Sequence, residues 1–169
     1  NPALSYDKAI SVGTLSKGYG LPGLRIGWCF APPEVIQNCM QLRDYTTLYI
    51  SPLIELVGQS AIENADLLLA KKMKDALENR AMLKRWIEEN SHFVEWTDPQ
   101  GGVACLIKFS GIDDTEAFCR GLAEATGVML VPGECFEQKG YMRLGFGSST
   151  SEFNDGLKLL DEYLKKNYF

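Results

Sequence analysis

The sequence predicts an α/β protein in two parts joined by a long helix. Residues 1–75 read as the remnant of a larger sheet, and residues 76–169 as a smaller, complete α/β unit. Three observations carry this prediction. The second half reads helix, strand, strand, helix, strand, strand, helix. The first half offers two strands and two helices, too little to close a core. Between them, Asp66 to Asn90 keeps an apolar period of 3.6 residues, the mark of one long helix.

The elements follow in order. Ala9 to Val12 is a short apolar run expected to be a strand, and Gly13 to Gly23 is rich in glycine and hydroxyl residues and is expected to be a loop. Leu24 to Phe30, bounded by Gly23 and the Pro32-Pro33 pair, is expected to be a buried strand. Pro33 suits a first helical turn, so Glu34 to Tyr45 is expected to be helical. Thr46 to Ser51 is expected to be extended, and Pro52 opens a helix running through Ile62. In the long helix, Leu69, Met73, Ala76, Leu77, Leu83 and Ile87 are the expected buried stripe. Arg80 lies on that stripe, with its stem expected to pack and its head to reach water.

Phe93 to Trp96 and Val103 to Phe109 read as strands around an Asp98-Pro99-Gln100-Gly101-Gly102 turn. Asp113 and Glu116 suggest a capping box for a helix through Ala125, with Phe118, Leu122 and Ala125 inward. Val128 to Val131 and Tyr141 to Phe146 are further expected strands. A last helix, Ser151 to Lys166, should be capped by Ser149 or Ser151 and bury Phe153, Leu157, Leu160 and Leu164.

Composition narrows the function classes. Hydrophobic residues are 46% and charged residues 23% of 169, ordinary globular usage. The net charge of −5 gives no general attraction for nucleic-acid phosphates or anionic lipid, so neither partner is expected. Five cysteines without a C-x-x-C pair, and a single histidine, His92, exclude zinc-site spacing, so no metal is expected. Cysteines within apolar runs such as Trp28-Cys29-Phe30 and Ala104-Cys105-Leu106 are expected to be buried free thiols of a reducing, cytoplasmic compartment. The opening Asn-Pro-Ala-Leu has no initiator Met and reads as a cut from a longer chain.

The chemistry concentrates in Thr14 to Trp28. Gly18, Gly20 and Gly23 spell G-x-G-x-x-G, but an apolar strand-like run follows where a dinucleotide site needs a helix N-terminus. Lys17 precedes the glycines, so this is not a Walker loop. Thr14 and Ser16 offer hydroxyls, Lys17 a nucleophilic amine, and Arg25 a planar cation suited to phosphate. Together they suit a cofactor that is both aldehyde and phosphate ester, which is pyridoxal 5′-phosphate (PLP).

This run resembles the lysine motif of the fold-type I PLP-dependent aminotransferases of class I/II, S/T-x-S-K-x-x-x-x-x-G-x-R-x-G. The resemblance implies Lys17 as the Schiff-base lysine, and Thr14, Ser16 and Arg25 as ligands of the cofactor phosphate. It continues through Gly101-Gly102, Gly127-Val128-Met129-Leu130-Val131-Pro132-Gly133-Glu134-Cys135-Phe136 and Tyr141-Met142-Arg143-Leu144-Gly145-Phe146. It implies that Arg143 holds the substrate α-carboxylate. It further implies transfer of an amino group from an amino acid to a 2-oxo acid, in a homodimer, by a parent of which this is the C-terminal segment. A lyase, decarboxylase or cyclase of the same fold uses the same lysine loop and arginine. The family's ring-stacking aromatic and its aspartate to the pyridine nitrogen have no counterpart here, so the chain alone is expected to be weakly active or inactive.

Overall fold

The computed structural model describes residues 2–168; Asn1, where the sequence was read as a cut, and Phe169 lie outside them. It is a mixed α/β structure with five α-helices and two small antiparallel sheets. The chain divides into two compact units, one up to Lys72 and the other from Met73 onward.

The first unit has a two-stranded antiparallel sheet, β1 (Ser11–Thr14) and β2 (Gly27–Phe30), followed by α1 (Pro33–Arg43) and α2 (Pro52–Glu63). β1 starts two residues later than the apolar run suggests, because its register with β2 runs from Ser11↔Phe30 to Thr14↔Gly27. Small residues let the strands approach. A β-carbon on Gly13 would fall 2.4 Å from the Trp28 indole, and one on Gly27 would fall 2.8 Å from the Gly13 carbonyl oxygen. Within this unit Leu15 and Ala61 are the only buried hydrophobic residues among those described. Leu4, Val12, Leu42, Leu53, Leu56 and Leu67 stay exposed. No thiol is buried here: Cys29 and Cys39 are exposed, as is Cys135 in the second unit, while Cys105 and Cys119 are buried. The expectation of buried cysteines fails at Cys29 because the two-stranded sheet leaves its β2 residues uncovered.

The long helix α3 (Ala65–Glu89) contains the division between the units. The second unit continues with β3 (Val94–Trp96), β4 (Ala104–Phe109), α4 (Thr115–Thr126), β5 (Val131–Pro132), β6 (Met142–Gly145) and α5 (Thr150–Asn167). Its antiparallel sheet has the order β3-β4-β6-β5. Alternation sets the faces. Cys105, Ile107, Phe109, Met142 and Leu144 join a core with Leu83, Trp86, Ile87, Phe118, Leu122, Leu160 and Leu164 of the helices. Ala104, Leu106 and Arg143 point the other way and stay partly or fully exposed.

Caps mark the helix ends. The Asp114 side chain accepts from the Ala117 N–H at 2.9 Å, so Asp114, not Asp113, caps α4. The Ser149 hydroxyl caps α5, and Phe153, Leu157, Leu160 and Leu164 are buried as expected. One expectation on α3 needs correction. Met73 and Leu77 are each 58% exposed, while Asn79 and Trp86 are buried beside Leu83 and Ile87. The Arg80 side chain keeps 32% exposure, as expected, and its head also meets a partner. Its Nε and Nη2 reach Asp98 Oδ1 at 2.9 and 2.7 Å, because the turn before β4 brings that carboxylate to the helix.

Candidate functional site

The hairpin that joins β1 to β2 is built by its own backbone. The Leu15 N–H donates to Ile26 O at 3.2 Å, which continues the ladder one step past Thr14. The Leu21 N–H then returns to Leu15 O at 3.0 Å, and the Gly20 N–H reaches Lys17 O at 3.1 Å. Gly20 has φ +69°, where a side chain is disfavoured. Leu15, 0% exposed, anchors this loop from beneath.

On that frame the Thr14 hydroxyl donates to Ile26 O at 2.9 Å and accepts from the Ser16 N–H at 3.1 Å. The two hydroxyl oxygens of Thr14 and Ser16 lie 3.0 Å apart. Lys17 stands exposed on the loop, and no carboxylate among the described residues forms an ion pair with it. Arg25 sits at φ +53°, a left-handed conformation uncommon for a residue other than glycine, and its Nη1 donates to Pro22 O at 3.0 Å. The structure thus brings Thr14 and Ser16 together and places Lys17 and Arg25 on the same short loop. It also adds a cation that motif reading missed: Lys72 Cε lies 2.9 Å from where a β-carbon on Gly20 would be. No local sequence signal links residues so far apart.

This donor set fits a phosphate ester carrying an aldehyde. Hydroxyl and guanidinium donors suit the phosphate, and an unpaired primary amine suits the carbonyl carbon.

Arg143 belongs to the second unit and stands on its uncovered sheet face. It sits opposite Leu106 of β4 and Val131 of β5. Its guanidinium carbon lies 5.5 Å from the centroid of the Phe136 ring. A shallow cavity of about 390 Å³ opens there, lined by Ala104, Cys105, Leu106, Phe136, Gln138 and Arg143. Phe136 ends a short 3-10 turn, Gly133–Phe136. In that turn the Glu134 carboxylate accepts from the Thr115 hydroxyl of α4. That bond, with backbone N–H groups of Glu134 and Gly140, holds its carboxyl below the usual range. Neither Thr115 nor Glu134 was legible as a site residue, since only the packing of α4 against the turn joins them.

Among the described residues no cluster of His, Cys, Asp or Glu is placed to hold a metal ion. None of the described helices is long and apolar enough to cross a membrane.

Known proteins resemble this architecture closely. The family profile described as aminotransferase class I and II matches residues 3–158. Capreomycidine synthase of Streptomyces vinaceus is 38% identical over 163 residues, which are 96% of this chain and 42% of that protein. The crystal structure of the PLP-dependent cyclase OrfR superposes with a TM-score of 0.88 at 41% identity, over 93% of this chain and 43% of the other. A PLP-dependent aminotransferase from Streptococcus suis superposes with a TM-score of 0.90 at 37% identity, over 95% and 43%. The chain therefore spans about two fifths of the length of the proteins it matches.

Proposed function

Because the chain belongs to the class I and II aminotransferase family, whose members are PLP-dependent, we propose that it is the C-terminal segment of a PLP enzyme acting at the Cα of an amino acid. In this reading the first unit is the end of the large cofactor domain and the second is the small domain. The single observation that carries it is the hairpin loop between two paired strands that carries the Thr14–Ser16 hydroxyl pair, Lys17 and Arg25 on one short segment.

PLP supplies an electron sink that lowers the barrier to breaking a bond at Cα. The residues of the chain then divide the remaining work. Ser16 and Arg25 bind the phosphate, and Thr14 fixes Ser16 in place. Lys17 would hold the cofactor at its aldehyde carbon, and its amine would serve to hold or move a proton at Cα. Arg143 grips the α-carboxylate with its planar fork, so the substrate enters with one orientation.

The reaction proposed is of the cyclase kind, in which nitrogen stays with the product. Its support is that relatives at 38% and 41% identity are a synthase and a cyclase, whereas an aspartate aminotransferase of Thermotoga maritima stands at 25%. Amino transfer to a 2-oxo acid is the second reading, favoured by the Streptococcus suis relative. The complete enzyme is proposed as a cytoplasmic homodimer, since none of the five cysteines is paired and the first unit leaves much apolar surface exposed.

Two measurements test the reading. Addition of PLP to the chain should raise a visible absorption band that Lys17→Ala abolishes, weakly here and strongly in the complete enzyme. A band of equal strength in Lys17→Ala would refute Lys17 as the bonding amine. For the complete enzyme, amino acid turned over without any 2-oxo acid acceptor supports the cyclase kind. Strict dependence on an acceptor, with the amino group recovered on it, would establish amino transfer instead.

A further inference from the structure

The carboxylate role of Arg143 leaves a physical question: what keeps an exposed arginine aimed. An arginine carries several rotatable bonds, and holding it still costs rotamer entropy on each binding event unless the fold has already met that cost. The β6 backbone fixes only the Cα. Two contacts do more.

The first is the Phe136 ring, 5.5 Å from the guanidinium carbon. A guanidinium over an aromatic face is held by the ring's quadrupole, which leaves the N–H edges of the fork free for an anion. The second contact lies behind Phe136. The turn that carries it is closed on itself: the Gly133 N–H donates to Tyr141 O at 2.7 Å, and the Gln138 N–H donates to Gly133 O at 2.9 Å. Gly133 has no room for a side chain, because a β-carbon would sit 2.0 Å from Gln138 O and 2.4 Å from Tyr141 O. The closed turn is fastened to the core at one side-chain bond, from the Thr115 hydroxyl to the Glu134 carboxylate. Thr115 is 1% exposed and opens α4, so the acceptor is also an anion at a helix N-terminus.

We propose that Thr115 is a positioning residue for the carboxylate fork: through Glu134 it fastens the Gly133–Phe136 turn, and through Phe136 it pre-aims Arg143. The proposal rests on the reading of Arg143 as the carboxylate ligand. Thr115 touches no substrate. Its effect is to restrict the guanidinium before the substrate arrives.

The test uses the whole 169-residue chain, labelled with ¹⁵N, and the Nε–Hε resonance of Arg143, assigned by its loss in Arg143→Lys. Acetate is the probe, with chloride at equal ionic strength as reference. In the wild type the Hε proton is displaced by the ring current of Phe136, and it moves again as acetate binds. Thr115→Val keeps the shape of the side chain and removes the hydroxyl. The expected result is an Hε resonance that drifts toward the position of a free arginine, with acetate binding weakened about two- to fivefold, the loss of one exposed cation–π contact. Thr115→Ser restores both. Should Thr115→Val fail to fold, the exposed Glu134→Ala cuts the same link from the other side, with the same expected shifts. A purely structural role would lower the melting temperature and leave the folded protein's Arg143 resonance and affinity unmoved, and that result would overturn the proposal. A wild-type resonance blind to acetate would overturn the reading of Arg143 itself. The two failures are therefore told apart by the wild type alone.

Discussion

Asn79 is the buried polar residue with the most to lose. It is 0% exposed, and its Nδ2 donates to Phe146 O at 3.1 Å and to Ser148 O at 2.9 Å. Both carbonyls lie just beyond β6, so the amide pins the exit of the strand that carries Arg143. Its Oδ1 is buried without a partner, a cost the native fold already bears. Asn79→Ala removes two hydrogen bonds and leaves two carbonyls to find new donors, at a cost of about 1–3 kcal/mol each. Relief of the unpartnered Oδ1 returns about 1 kcal/mol or more. The expected loss is about 1–5 kcal/mol, a sizeable share of a typical domain stability of about 5–15 kcal/mol. Urea unfolding followed by the fluorescence of Trp86 and Trp96, in a Trp28→Phe background, reads the second unit. Asn79→Asp sharpens the argument. At neutral pH a carboxylate would face two carbonyl oxygens in a dry site, so the variant should be less stable than Asn79→Ala. Burial and those carbonyls raise the folded pKa of such an aspartate above its unfolded value near 4. The stability it retains is then fully present below about pH 4 and is lost as pH rises through the folded pKa. An alanine variant within about 0.5 kcal/mol of wild type, or an aspartate variant as stable as wild type at pH 7, would refute the clamp.

Other outcomes follow from the same structure. Asp98 receives Arg80 at 2.7 Å and Lys84 at 3.5 Å in a partly exposed setting, so Asp98→Asn should cost about 1 kcal/mol, and less in 1 M salt, by denaturant titration. Burial, aided by the Asp98 charge, pushes the Cys105 thiol up to about 12. Burial, then the Glu134 and Cys135 charges, pushes Cys119 up to about 11. At pH 8 a water-soluble thiol reagent should label Cys29, Cys39 and Cys135 quickly and spare the other two until the chain unfolds. Because both folded pKa values exceed the unfolded value of about 9, the stability linked to these thiols is whole below that pH and falls as pH rises toward 11 and 12. Equal labelling of all five in the native chain would contradict the burial. Glu137 sits at φ +59°, so Glu137→Gly should relieve a left-handed side chain and raise stability by about 0.5–1 kcal/mol after the unfolded-state entropy of glycine is charged. A loss in thermal unfolding would show that the carboxylate has a compensating role.

What was legible in the sequence is what local chemistry decides. The α5 stripe and its Ser149 cap depend on spacing within one helix, and both appear as read. The lysine loop was legible because its hydroxyls, amine and guanidinium lie within one hairpin. Expectations failed where a distant residue decides. Periodicity put Met73 and Leu77 inside, yet it cannot say where along a helix the covering layer ends, and both are exposed. For Arg80 the partly exposed head is as read, but its partner was not legible, because the turn after β3 delivers Asp98 from another element. The expected strand Val128 to Val131 shrinks to Val131–Pro132, because the Thr126 hydroxyl first takes the Val128 N–H at 3.1 Å as part of the helix cap. Thr115, Glu134, Asn79 and Lys72 are invisible for the same reason: each gains its role from a partner on another element.

Burial is divided unequally between the two units, and this bears on how they work. Arg143 stands on a sheet whose other face joins a core of leucine, isoleucine and phenylalanine side chains from three helices. That support suits the carboxylate role proposed for Arg143. The lysine loop rests instead on Leu15, with Ala61 the only other buried hydrophobic residue described in its unit. Its shape comes from backbone bonds such as Leu21 to Leu15 and from the Thr14 hydroxyl, not from a packed layer. A loop held this way has little stability of its own, so a ligand that binds Ser16, Lys17 and Arg25 at once adds its binding energy directly to the first unit's fold. The same ligand adds almost nothing to the second unit, where the core already fixes the β6 backbone. In the proposed enzyme, cofactor binding and ordering of the first unit are therefore one linked event, while the carboxylate fork is ready beforehand.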